Sequence, residues 1–228
     1  MSERPATPTR RRRAQRGSGE QLRGEIIAAT KQLLAAGRTA GEITIRSVAT
    51  AVGVTPPSIY LHFADKQQLL DAVVSDVFGE LDDAMVKAAV EETSPLARLC
   101  AYGMAYIHFA LDHPEHYRMA MLDPCAEPGV AVSGGFVHLQ ETVEECFRDG
   151  LFAGGDPLGV AFDCWAAAHG VASLLIVKPF VPYGDVDEFA MRVLVATVLG
   201  HAAAGLVGEH PGPDEVTAWV TKQRRRRR

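Results

Sequence analysis

Apolar residues recur at three- and four-residue intervals along most of this chain, and no run alternates convincingly with period two. Leu22, Ile26, Ile27, Thr30, Leu33 and Leu34 share one face of a helix predicted over 20–36, with Gly37 just past its end. Thr44 is placed to cap a short helix whose buried stripe is Val48, Ala49 and Val52, and Gly53 suits the φ > 0 position that stops it. Thr55 is expected to cap the next helix. Pro56 falls at its first position, where no N–H is missed, and Ile59 and Phe63 anchor it at i and i+4. Asp65 opens a long helix to about residue 91, carrying Leu69, Leu70, Val73, Val77, Leu81 and Met85 inward.

The remaining punctuation predicts further helices over 95–113, 115–121, 134–149, 157–177 and 185–207, with a last short one starting at Asp214. Ser94-Pro95 and Asp156-Pro157 are cap-plus-proline starts, Pro114 and Asp123-Pro124 are stops, and 124–133 reads as loop. The expected fold class is therefore all-α. Four parts are expected: a basic arm (1–19), a small domain (20–66), a larger helical domain (67–221) and a basic tail (222–228).

Two short helices joined by a glycine turn, the second opening on a proline pair, are the build of a helix-turn-helix. In that motif the second helix is presented to the major groove of DNA. Charge distribution agrees. The net charge of −5 hides residues 1–66 with 11 basic against 5 acidic side chains, 67–221 with 6 against 23, and a tail with six more positive charges. Such a chain offers its basic end to a polyanion while the acidic body is repelled from it.

Composition closes off other classes. At 47% hydrophobic residues a sizeable core is available, and no window is expected to reach the uninterrupted apolar length of a membrane span. The first twenty residues are Arg- and Pro-rich without an apolar region of signal-peptide type. Cys100, Cys125, Cys146 and Cys164 are scattered with no CxxC spacing, so they are expected to be buried thiols of a reducing cytoplasm; neither a metal site nor a cofactor is expected. Motifs for nucleophilic, phosphate-binding or zinc-dependent catalysis are missing, and no enzyme is expected. His113-Pro114-Glu115-His116 is the nearest approach to metal spacing, and its proline breaks the helical register.

The order of Ala49, Gly53, Val54, Pro57, Ile59, Tyr60, His62, Phe63, Lys66 and Leu70 resembles the N-terminal DNA-binding domain of the TetR/AcrR family over residues 21–73. The segment 164–176, CWAAAHGVASLLI, is similar to a Trp-…-His-Gly pattern of one subgroup of that family's C-terminal domains, and 113–122 is compatible with it. The resemblance implies a homodimeric, ligand-responsive regulator, most simply a repressor released from a palindromic operator by a small apolar or amphipathic effector. It implies DNA contacts by Arg46, Pro57, Ser58, Tyr60, His62 and Lys66, with Thr55 and Pro56 opening the recognition helix and backbone N–H groups at helix N-termini adding to them. Arg10, Arg11, Arg12 and Arg13 resemble a flexible arm able to enter a minor groove.

By the same analogy the C-terminal helices enclose a ligand pocket. Its candidates are Tyr102, Tyr106, His108, Phe109, Met119, Phe136, Cys164, Trp165 and His169, each also compatible with ordinary core. The helices over 157–177 and 185–207, rich in small residues, would form a four-helix dimer interface. The rival reading is a non-specific, architectural DNA-binding protein without an effector, which the Arg-rich termini favour.

Overall fold

The computed structural model describes residues 18–122, 134–208 and 211–226, and all regular structure among them is helical. The Arg10–Arg13 arm, Cys125 and the 124–133 segment lie outside the described residues. The described chain packs into two units, residues 18–78 with 113–122, and residues 79–112 with 134–208 and 211–226.

In the first unit, α1 (Ser18–Ala35), α2 (Ile45–Val52), α3 (Pro56–Tyr60) and the start of α4 (Lys66–Ala89) surround a core of Ile26, Leu34, Ile43, Val48, Ile59 and Phe63. Ile26, Val48 and Ile59 are fully buried, as their helical spacing requires. Thr30 is buried on the same face, where its hydroxyl donates to the Ile26 carbonyl at 2.8 Å and so leaves no unpaired polar group. Arg23 lays its guanidinium over the Phe63 ring, 5.2 Å from the centroid.

The segment expected as one short helix over 115–121 is α6 (Pro114–Tyr117) followed by a π-helical turn at Arg118–Leu122. It belongs to the first unit and packs on α1. His116 is buried there and Nε2–H donates to the Lys31 carbonyl at 2.9 Å, while His113 stacks on it with ring centroids 5.6 Å apart. His113 and His116 thus serve packing, and no metal-holding group of His, Cys, Asp or Glu occurs among the described residues.

The second unit is built from the end of α4, α5 (Pro95–Asp112), α7 (Gly135–Arg148), α8 (Pro157–Val177), α9 (Val186–Val207) and α10 (Pro213–Arg226). Asp156 and Asp185 cap α8 and α9 by accepting from Gly159 N–H at 3.1 Å and Glu188 N–H at 2.9 Å. The basic run as far as Arg226 is the end of α10, where cations complement the helix dipole. One expectation needs correcting: by length and composition, α8 and α9 are apolar enough to cross a membrane. The scattered polar residues that seemed to break these segments, Asp163 and His169 among them, are too few to lower the average. Much of α8 is apolar because it is the packed centre of this unit, whereas α9 leaves most of its apolar surface uncovered.

Candidate nucleic-acid interface and ligand cavity

The helix-turn-helix is held by local bonds. Thr44 Oγ1 accepts from Ser47 N–H at 3.0 Å and Ser47 Oγ accepts from Thr44 N–H at 3.1 Å, a reciprocal cap that fixes the start of α2. Gly53 adopts φ 77°, ψ 32°, and Val54 N–H closes back on the Ala49 carbonyl at 2.9 Å. At α3 the expected Thr55 cap is not made. Pro56 and Pro57 have no N–H to offer, the first available donor is Ser58, and its N–H bonds the Thr55 carbonyl at 2.9 Å. The Thr55 hydroxyl pairs with the Ser58 hydroxyl instead, at 3.0 Å.

With prolines as its first two residues, α3 offers no backbone N–H at those positions. Arg46, Pro57 and Tyr60 are exposed, and Ser58 and His62 are half-buried. Leu61, not singled out by the sequence, is 83% exposed, against 54% for Tyr60. Lys66 is engaged within the chain, its ammonium donating to the Gly41 carbonyl at 3.0 Å, which leaves further N–H donors on the same nitrogen. α1 begins beside this surface: a Cβ on Gly19 would lie 4.0 Å from His62 Cε1.

In the second unit the helices leave a hollow of about 390 Å³, counting its open mouth. Leu99, Tyr102, Gly103 and Tyr106 of α5 line it at i, i+3, i+4 and i+7. Cys164, Trp165 and Ala168 of α8 face them, as do Leu194, Thr197 and Val198 of α9. Met85 and Leu139 complete the wall. Gly103 sets the spacing of α5 and α9, since a Cβ there would come within 2.6 Å of Leu194 Cδ2. Behind the wall, the Tyr106 hydroxyl lies 3.0 Å from His169 Nδ1, and Ser173 Oγ lies 3.4 Å from Nε2. Burial lowers the His169 pKa and favours the neutral ring, which has one donor and one acceptor for these two neighbours. Burial likewise pushes the Cys164 thiol up to about 12, so it faces the hollow uncharged.

Residues 26–73 match the bacterial regulatory proteins of the tetR family, and residues 99–198 match the tetracyclin repressor-like C-terminal domain. The chain belongs to the TetR family. It is a DNA-binding transcriptional regulator with a helix-turn-helix. Solved structures of similar fold include a protein of unknown function from Rhodococcus sp. RHA1, 28% identical with a TM-score of 0.70 over 79% of this chain and 95% of that one. A TetR-family transcriptional regulator from Pectobacterium atrosepticum is 20% identical, with a TM-score of 0.61 over 82% and 95% of the two chains. One from Marinobacter aquaeolei VT8 is 17% identical, with a TM-score of 0.62 over 80% and 98%. No curated protein matches the chain.

Of the TetR-type pocket candidates, Tyr102, Tyr106, Cys164 and Trp165 are brought together on the wall, and His169 stands behind Tyr106. Phe136 does not line the hollow but packs against Phe162 and Trp165, with centroids 4.8 and 6.3 Å away. His108 is exposed and pairs with Asp187 at 2.8 Å, and Phe109 is absent from the wall. Met119 is buried in the first unit, because the chain re-enters that unit at residue 113. The aliphatic lining residues were missed for a physical reason: Leu99, Leu194 and Val198 have the same composition and periodicity as core, and only packing separates a wall from an interior.

Proposed function

We propose that this chain is a homodimeric repressor that binds a palindromic operator through Arg46, Pro57, Ser58, Tyr60, His62 and Lys66 and is released by a small, mainly apolar effector bound in the second unit. The observation that carries this reading is the pairing, in one chain, of an exposed helix-turn-helix with a separate unit containing a tyrosine- and tryptophan-walled hollow. Tyr60 and His62 supply phosphate contacts, Pro57 meets base edges through apolar contact, and Arg46 reads a base edge or a phosphate. The Arg10–Arg13 arm adds minor-groove contacts, and α1, which follows it in sequence, begins beside His62. DNA recognition is assigned to 20–66 and effector binding and dimerisation to 67–221, although 67–78 and 113–122 pack with the first unit.

Dimerisation through α8 and α9 is supported by what they leave uncovered. Phe162, Leu174, Val195, Leu199 and Leu206 are 40–70% exposed, more apolar surface than an isolated subunit gains by presenting to water. Gly170 and Gly200 have open space at their Cβ positions, which permits close helix approach by a second copy. Two recognition helices then meet successive major grooves about 34 Å apart, and an effector acts by favouring a state in which that spacing is lost. The protein works in the cytoplasm, where the operator is. Selection of bound sequences from a random duplex pool tests the reading. Recovery of one short palindrome protected by a dimer supports it; uniform binding to any duplex at physiological salt replaces it with the architectural alternative.

A further inference from the structure

The wall of the hollow combines apolar surface with a small polar set. Among the described residues lining it there is no Asp, Glu, Lys, Arg or His. A carboxylate or ammonium placed inside would lose its hydration without gaining a counter-ion. The thiol of Cys164 does not supply one, being held neutral by the same desolvation.

The polar groups that remain are not equivalent. The Tyr106 hydroxyl is bonded to His169, and the Thr197 hydroxyl donates to the Val193 carbonyl at 3.0 Å. Tyr102 and Trp165 make no hydrogen bond to any described residue, and both carry a donor: a phenol O–H and an indole N–H. Such donors, on residues that line a mainly apolar hollow, are complementary to an acceptor oxygen on the occupant.

We infer that the effector is an uncharged, chiefly apolar molecule carrying one hydrogen-bond acceptor, in the class of ketones, esters and lactones, which Tyr102 and Trp165 would receive. This rests on the reading of the hollow as the effector site.

Binding of 2-undecanone, undecanoate, undecylammonium and undecene to the full chain carrying Trp219→Phe tests it, because Trp165 is then the sole tryptophan and reports occupancy by fluorescence. The ketone should bind at least ~100-fold more tightly than either ion. Tyr102→Phe should weaken the ketone about fivefold and leave undecene unchanged. Either ion binding within tenfold of the ketone overturns the uncharged class, as does silence of Trp165 toward every probe. A Tyr102→Phe variant that binds the ketone as well as the parent overturns the acceptor assignment to Tyr102. Tight ketone binding without release of the selected operator leaves the ligand class standing and overturns the effector-controlled reading instead.

Discussion

Tyr106 reaches out of the cavity wall to His169: its hydroxyl stands 3.0 Å from Nδ1, and the ring is held neutral by burial. The folded-state pKa lies below the ordinary value of 6.5, so the unfolded chain takes up this proton first as pH falls. Stability from this site is therefore complete above pH 6.5 and is lost as pH drops from there through the lowered folded value. Thermal melts should fall more steeply over that window for the parent than for His169→Gln. Parallel pH profiles for the two proteins would show that the pair plays no part in acid sensitivity.

The two helix starts of the DNA-binding motif should respond unequally to the same substitution. Thr44→Ala removes the side-chain half of the α2 cap, the Oγ1 that accepts from Ser47 N–H, and should cost about 1 kcal/mol. Thr55→Ala removes only a hydroxyl pair and should cost less than about half of that. Chemical denaturation of the two variants checks the ranking, and equal losses would mean that Thr55 supports α3 in a way its bonds do not reveal.

Glycines at helix contacts should differ in the same graded manner. A Cβ on Gly205 would sit 2.7 Å from the Ala153 carbonyl oxygen, a backbone atom with little freedom to withdraw. A Cβ on Gly103 would meet only the end of the Leu194 side chain, which can change rotamer. Gly205→Ala should therefore destabilise by about 2 kcal/mol or more, and Gly103→Ala by less, in calorimetric melts. Gly103→Ala should also reduce ligand capacity, because a displaced Leu194 moves within the wall of the hollow.

On the DNA side, Lys66→Gln should weaken operator binding and reduce the slope of log affinity against log salt by about 0.9. Deletion of residues 1–16 should flatten the slope further. Arg46→Ala should lose affinity for the selected operator by about 1–3 kcal/mol and relax discrimination at one position of each half-site if it reads a base. Fluorescence anisotropy at several salt concentrations separates these effects. An unchanged slope for Lys66→Gln would place its charge wholly with the Gly41 carbonyl.

Features governed by near neighbours were legible in the sequence. The α2 stripe of Val48 and Ala49, the turn at Gly53 and the carboxylate cap at Asp156 depend on residues within four positions, and they occur where the pattern placed them. Thr55 was misread because a cap needs a donor as well as an acceptor, and the two following prolines remove it. Lys66 meets a carbonyl from 25 positions earlier in the chain, which no local rule anticipates. For the cavity, large aromatic and apolar side chains made Tyr102, Tyr106 and Trp165 visible as candidates, but the same criterion drew in Phe136 and Met119. Side-chain type signals burial, whereas facing a void is a property of how helices are spaced, set here by contacts such as Gly103 against Leu194.

Pro56 and Pro57 set how the free energy of docking divides between enthalpy and entropy. Their rings fix two successive φ angles, so the five-residue α3 has already surrendered much of its backbone freedom before any duplex arrives. Docking then carries a small ordering penalty at the recognition helix. Replacing both prolines by alanine should make association more exothermic and its entropy less favourable, with the affinity itself changing far less than either component.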